Sequence, residues 1–287
     1  MPVFNQKINK TLSSFEVSVY EIEDQVEEEA NKLKQYLIDK IKKIKIFNQL
    51  DEVSSMLNVP NVSPEFIEKF KKDLKAICDP YKNKISTFDI RRSYVTEFMS
   101  QLLLEKQYNC IFYDQADKRL NSDAISINKH TPGIDVVGLH IDESLKFAVC
   151  EVKASKSAIP CTETSGLLSD VKKSMEVSNR RLTKEILNYT SYLKTDDNDE
   201  LMAKVVDFLL NILKMSNDEE FVISNVIFFP FLIRNNAAIV GNSDISDFDL
   251  FAQEDFNQTS IKGIIWSFNN DIDSFCEKIW EEAVENV

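Results

Sequence analysis

Apolar residues recur at three- and four-residue steps near the start of the chain, then give way to short alternating or continuous apolar runs. In EIEDQVEEEANKLKQYLIDKIKKIKIFNQL, the residues Val26, Ala30, Leu33, Leu37, Ile41 and Ile44 share one helical face. Acids from Glu21 to Glu29 and bases at Lys40, Lys42, Lys43 and Lys45 follow the helix dipole, so these lysines read as a solvated helix end rather than a nucleic-acid patch. Ser63 is placed to cap a second helix with Pro64 in its first turn, running toward Pro80. Residues 1–90 therefore read as a helical N-terminal region.

From residue 91 the period changes. RRSYVTEFMSQLLLEKQ reads as an amphipathic helix with Tyr94, Phe98, Leu102 and Leu103 on a common face. CIFYD (110–114), GIDVVGLH (133–140) and KFAVCEVKAS (146–155) read as strands, the last two joined by a turn at Asp142-Glu143-Ser144-Leu145. A long helix is expected over about 167–193 and another over 199–215. Strands follow at 222–233, 237–241 and 261–268, and a helix closes the chain. Strands interleaved with helices predict an α/β fold with a mixed sheet over 91–287, with a helical insertion around 165–215.

A length of 287 residues, 43% of them hydrophobic and 19 of them Phe, allows a substantial core and excludes disorder over most of the chain. No apolar run approaches the roughly 20 residues of a membrane span. The first residues lack the pattern of a signal peptide, so a cytoplasmic protein with no membrane partner is expected. The five cysteines, Cys78, Cys110, Cys150, Cys161 and Cys276, form no CxxC pair, and the only histidines are His130 and His140. A disulfide framework, a zinc site and a histidine-based triad all lack material. Trp266 and Trp280 read as core residues, and there is no Walker A loop. The net charge of −13 is unevenly spread: residues 195–287 hold 19 acids against five bases, whereas residues 1–194 hold 28 acids against 29 bases.

One constellation carries chemistry. Pro132-Gly133-Ile134-Asp135 opens a strand, and Glu151-Val152-Lys153 ends the strand that follows. Alternation sends Glu151 and Lys153 to one face and Val152 to the other, toward whatever buries Phe147, Val149 or their neighbours. Antiparallel pairing through the 142–145 turn brings Asp135 level with Glu151. Two carboxylates and the Val152 backbone carbonyl make an oxygen-rich site of the kind magnesium accepts. Lys153 is placed to position a nucleophilic water or to stabilise charge developing on a phosphate. His130, Ser155 and Ser157 lie near these residues in sequence and read as ordinary loop side chains.

P-x-x-D followed by E-x-K on the next strand resembles the PD-(D/E)xK nuclease superfamily. The resemblance implies a restriction-endonuclease-like αβββαβ core and Mg²⁺- or Mn²⁺-dependent cleavage of DNA. It makes Asp135, Glu151 and the Val152 carbonyl the metal ligands and Lys153 catalytic. Glu97, on the first core helix, is its match for an assisting acid. The helix after the third strand is expected to meet DNA through Lys172, Lys173, Arg180, Arg181 and Lys184. Residues 151–194 hold eight bases against five acids, a local excess of the sign this needs. More narrowly, the run from the Glu97 helix through GIDVVGL and FAVCEVKAS to VIFFPFLI resembles the nuclease subunit of Hachiman-type anti-phage systems, which implies a superfamily 2 helicase partner. The alternative at this point is a non-catalytic adaptor that shares the fold or imitates the motif, with the acidic last third as its working surface.

Overall fold

The computed structural model describes residues 2–22, 27–44, 63–78, 85–121, 133–156, 166–193, 200–235, 243–253 and 259–285. Strand β5 (Leu145–Ser155) lies inside its sheet, and its run from Phe147 to Val152 is buried, as a strand covered on both sides must be. β5 pairs antiparallel with β4 (Val136–Ile141) and parallel with β6 (Val226–Asn235). β7 (Ser260–Phe268), β2 (Glu16–Ile22), β1 (Phe4–Thr11) and the two-residue β3 (Cys110–Ile111) complete a seven-stranded mixed sheet in the order β1-β2-β7-β6-β5-β4-β3. Pro230 has no N–H to give, and the β6–β7 pairing skips residues 229 and 230 before resuming with unchanged offset.

Helices cover both faces of the sheet. On one lie α1 (Glu27–Lys42), α3 (Ile85–Gln107) and α9 (Ile272–Glu285), whose Leu37, Phe98 and Trp280 meet Cys150, Phe231 and Trp266 of the strands. On the other lie α4 (Leu167–Met175), α5 (Arg181–Tyr192), α6 (Glu200–Lys214) and α8 (Ser243–Ala252), which bury Phe147, Val149 and Phe228. α2 (Pro64–Cys78) starts as its sequence predicts, with Phe66 N–H donating to Ser63 Oγ at 3.2 Å. The short α7 (Glu219–Ser224) is capped by Asp218, which accepts the Phe221 N–H at 3.0 Å.

The fold is α/β as expected, and the elements from α3 to β6 run in the order helix, strand, a short helical stretch at 114–121, two strands, helices, strand. Several local readings need correction. Residues 4–22 are a hairpin, not helix: Val17 and Val19 alternate with Tyr20 and Ile22 across the sheet, so the period there is two. β1 is the exposed edge, irregular between Gln6 and Ile8, with Lys7 and Lys10 paired to Glu21 and Asp249. The strand expected at 222–233 begins only at Val226, because the Asp218 cap draws Val222 and Ile223 into α7. The long helix expected over 167–193 breaks at Glu176, and Arg180 takes up left-handed backbone (φ 58°) before α5. CIFYD is strand only at its first two residues, and α8 had no counterpart in the expected elements. The expected strand at 237–241 lies outside the described residues. Val152 faces the α3 side with Ala148 and Cys150, whereas Phe147 and Val149 belong to the face of Glu151, as strict alternation requires.

Among the expected features, Trp266 and Trp280 are buried core residues, and Cys110, Cys150 and Cys276 are buried free thiols. Lys40 and Lys43 are both tied to Asp114, at 2.8 and 2.6 Å. No helix among the described residues is long and apolar enough to cross a membrane.

At the end of β6, Arg234 is fully buried and its Nε lies 3.1 Å from Oδ2 of Asp244, itself 3% exposed on α8. Removing one member of such a pair strands a charge in the core. Asp244→Ala should therefore cost about 3 to 5 kcal/mol in urea or thermal unfolding. Arg234→Met/Asp244→Leu should recover most of that loss. A loss below about 1 kcal/mol in the single variant would show that the pair is not desolvated as described.

Candidate active site

The β4–β5 hairpin builds the site. Its register runs from Ile141↔Leu145 to Val136↔Cys150, so one further step sets Asp135 opposite Glu151. The structure confirms that alignment with a hydrogen bond: Val152 N–H donates to Asp135 Oδ2 at 2.8 Å. The segment before Asp135 is held tightly. Lys118 donates to the Ile134 carbonyl and Arg181 to the Gly133 carbonyl. A Cβ on Gly133 would stand 2.6 Å from Glu185 Oε1 and 2.8 Å from Lys118 Nζ, so a larger residue there would have to push both side-chain ends aside.

Glu151 is 3% exposed. Its Oε1 accepts from Ser174 Oγ and lies 3.0 Å from Arg181 Nη2. Lys153 Nζ stands 2.8 Å from Asp170 Oδ2, and Lys173 meets the other oxygen of Asp170 at 3.1 Å. Burial opposes the charge on Lys153, but the hydrogen bond to Asp170, with Asp135 and Glu151 nearby, more than offsets it and holds the ammonium above its ordinary range.

Where β5 emerges from the sheet, a pocket of about 370 Å³ opens between the strand and α3. It is lined by Asp135, Val152, Lys153 and Ala154 on one side and by Arg92, Ser93, Thr96 and Glu97 on the other. Thus Asp135, Lys153 and the half-buried Glu97 share one cavity. Glu151 lies outside its lining, turned toward α4 and α5. Arg92 is also held from outside the pocket, by Asp273 at 3.2 Å.

A family model named HamA matches residues 2–283. The chain belongs to the HamA family. No curated protein and no solved structure matches it. HamA membership gives the chain a role in Hachiman-type anti-phage defence, a setting that involves partner proteins.

In this HamA-family chain the five basic residues expected to meet nucleic acid take different positions. Arg180 and Lys184 are exposed at the start of α5. Lys173 is exposed but engaged with Asp170, and Lys172 Nζ lies 5.7 Å from the centre of the Phe251 ring. Arg181 turns inward and joins the Gly133 carbonyl to Glu151. The reading of the sequence missed Asp170 and Ser174 as partners of the E-x-K strand. His130 and Ser157 lie outside the described residues.

The donors suit a hard divalent cation. Asp135 and Glu97 offer carboxylate oxygens to one cavity whose wall includes Val152, and magnesium is commonly held by only one or two carboxylates plus water. Among the described residues, no three His, Cys, Asp or Glu side chains converge closely enough to hold a metal by themselves. Glu151 adds electrostatic demand. Burial, then the neighbouring Asp135 charge, push its carboxyl up to about 8, with Ser174 and Arg181 opposing.

That shift has a sign. The folded chain keeps a proton on Glu151 that the unfolded chain releases, so this group's contribution to stability is lost as pH rises from about 4.5 to about 8. In EDTA, Glu151→Gln should therefore gain melting temperature relative to wild type between pH 5.5 and pH 8.5. A difference between the two proteins that does not change with pH would contradict a destabilised buried carboxylate.

Proposed function

We propose that this chain is a divalent-cation-dependent DNA nuclease of the PD-(D/E)xK type, the effector of a Hachiman-type defence complex working beside a superfamily 2 helicase. The observation that carries the reading is the end of the β4–β5 hairpin. Asp135 and Glu151 stand level there, Lys153 follows one alternation later, and the adjoining cavity carries Glu97 on its far wall.

Magnesium or manganese held by Asp135 and the Val152 carbonyl, and by Glu151 once its side chain turned from Arg181 toward the cavity, would supply Lewis-acid charge to the scissile phosphate. The remaining work falls to side chains of this chain. Lys153 holds the attacking water in line or takes up the negative charge that grows on the phosphate, and its raised affinity for a proton keeps it cationic for either task. Glu97 accepts hydrogen bonds from water across the pocket. Arg92 adds positive charge to the wall a phosphate would face. Arg180 and Lys184, exposed on α5, are available to the flanking backbone of the substrate.

One observation favours the alternative of a non-catalytic adaptor. Lys153 already has the opposite charge of Asp170 against it, and Arg181 offsets part of the charge on Glu151, so the E-x-K residues have structural partners without any ligand. The two readings separate in a cleavage assay. Wild type, alone and with the helicase, should nick or linearise plasmid in Mg²⁺ or Mn²⁺ and not in EDTA. Glu151→Gln and Lys153→Met should each reduce the rate by about 100-fold or more while melting as a folded protein. Wild-type rates in either variant would remove these residues from the chemistry. An inert wild type in every metal, with the helicase present, would leave the adaptor.

A further inference from the structure

A second cavity, of about 400 Å³, opens at the opposite end of β5, where the parallel strands β5, β6 and β7 begin. Ser14 from the β1–β2 turn, the 142–144 turn, Ile227, and residues 259–262 line it, together with His140 and Lys146. Alternation and register put His140, Lys146, Ile227, Ser260 and Lys262 on one face of four adjacent strands. This end of the sheet is remote from the E-x-K residues, and the proposed nuclease chemistry uses none of these side chains.

Its two cations stand out. Lys146 Nζ donates to Ser260 Oγ at 2.5 Å, and Lys262 Nζ lies 5.5 Å from the centre of the Tyr108 ring. Both are half-buried, and neither forms an ion pair with a carboxylate among the described residues. Elsewhere in this acidic protein comparable lysines find one, as Lys40 does in Asp114 and Lys153 in Asp170. Beside them His140 is 6% exposed, and its Nδ1 is buried with no hydrogen-bond partner. Burial, then Lys262, with Lys146 adding to them and Asp142 opposing, hold that imidazole below its ordinary range. The acids of the cavity, Asp142 and Glu143, are exposed on the turn at its mouth.

Charge is therefore sorted by depth, with ammonium and hydroxyl donors inside and carboxylates at the rim. Glu16, opposite Lys262 on β2, is exposed and forms no ion pair with it. Two cations without a bound carboxylate and with hydroxyls nearby suit a compact dianion better than a monoanion. A rim of carboxylates disfavours a continuous polyanion threading through. Ile227 lies on the cavity's face of the sheet, and the volume lies in the range of small-molecule sites. We propose that this cavity binds a terminal phosphate monoester, with Lys146 and Lys262 on the phosphate and the hydroxyls of Ser260 and Thr259 completing its hydrogen bonds. The group could arrive on a free nucleotide or on the 5′ end of a nucleic-acid strand.

Titration of the full-length chain by calorimetry separates these sources and does not depend on cleavage, which EDTA suppresses. The probes are dAMP, a short single-stranded oligonucleotide with a 5′-phosphate, and the same oligonucleotide with a 5′-hydroxyl. Binding of dAMP identifies a free nucleotide as sufficient, and binding of the phosphorylated oligonucleotide alone assigns the strand end. In either case Lys146→Gln/Lys262→Gln should weaken binding by about tenfold or more, and Lys146→Arg/Lys262→Arg should retain most of it. On wild type alone, the His140 ring resonance, assigned with His140→Gln, should move with the same ligand. Equal binding of the 5′-hydroxyl and 5′-phosphate strands would overturn the monoester assignment. So would no binding of any probe by wild type, or unchanged affinity in a folded glutamine variant.

Discussion

Val152 gives its N–H to Asp135, and that hydrogen bond closes the free end of the β4–β5 hairpin. Everything at the candidate active site depends on the register it secures. A slip of one residue would exchange the two faces of β5, sending Glu151 and Lys153 toward α3 and Val152 toward α4. The slip is opposed along the whole strand, because Phe147 and Val149 fill one apolar layer while Ala148, Cys150 and Val152 fill the other. Two cores of different shape thus hold one strand in one phase. The position of three charged groups is a by-product of that packing.

The charges themselves are managed by the helices. α4 and α5 supply an acid for Lys153 and a base for Glu151, and each partner neutralises a group that the E-x-K pattern leaves half-buried or buried. Arg181 does more than neutralise. By holding the Gly133 carbonyl as well, it joins the segment that carries Asp135 to the strand that carries Glu151. The backbone of the site is held by hydrogen bonds and its charged side chains already have partners, so a ligand entering it has to displace or share them.

How much of this could be read in advance followed the range of the interaction. The alignment of Asp135 with Glu151 was legible because a short turn and a period of two determine it. The Ser63-Pro64 helix start was legible for a similarly local reason. Asp170 and Ser174 were not, since residues 157–165 intervene and no spacing rule links them to β5. The basic helix shows the limit of counting charge: Arg180 and Arg181 are adjacent, yet one is exposed and the other bridges buried groups. Two misreadings had available signals. EVSVYEI alternates, but the strong helical period that follows it dominated the reading of residues 4–22. The acids of NDEEF announced a helix start before Val222, ahead of an apolar run that looked continuous.

The two borders of the sheet differ from its interior. β3 contributes only two residues, and β1 is irregular near Gln6 and lined with lysines that are engaged by Glu21 and Asp249. Such borders resist the addition of an extended strand from another molecule. Main-chain pairing, the least selective mode of protein association, is thereby discouraged. Recognition of a companion protein would then fall to side chains, where the identity of each residue counts.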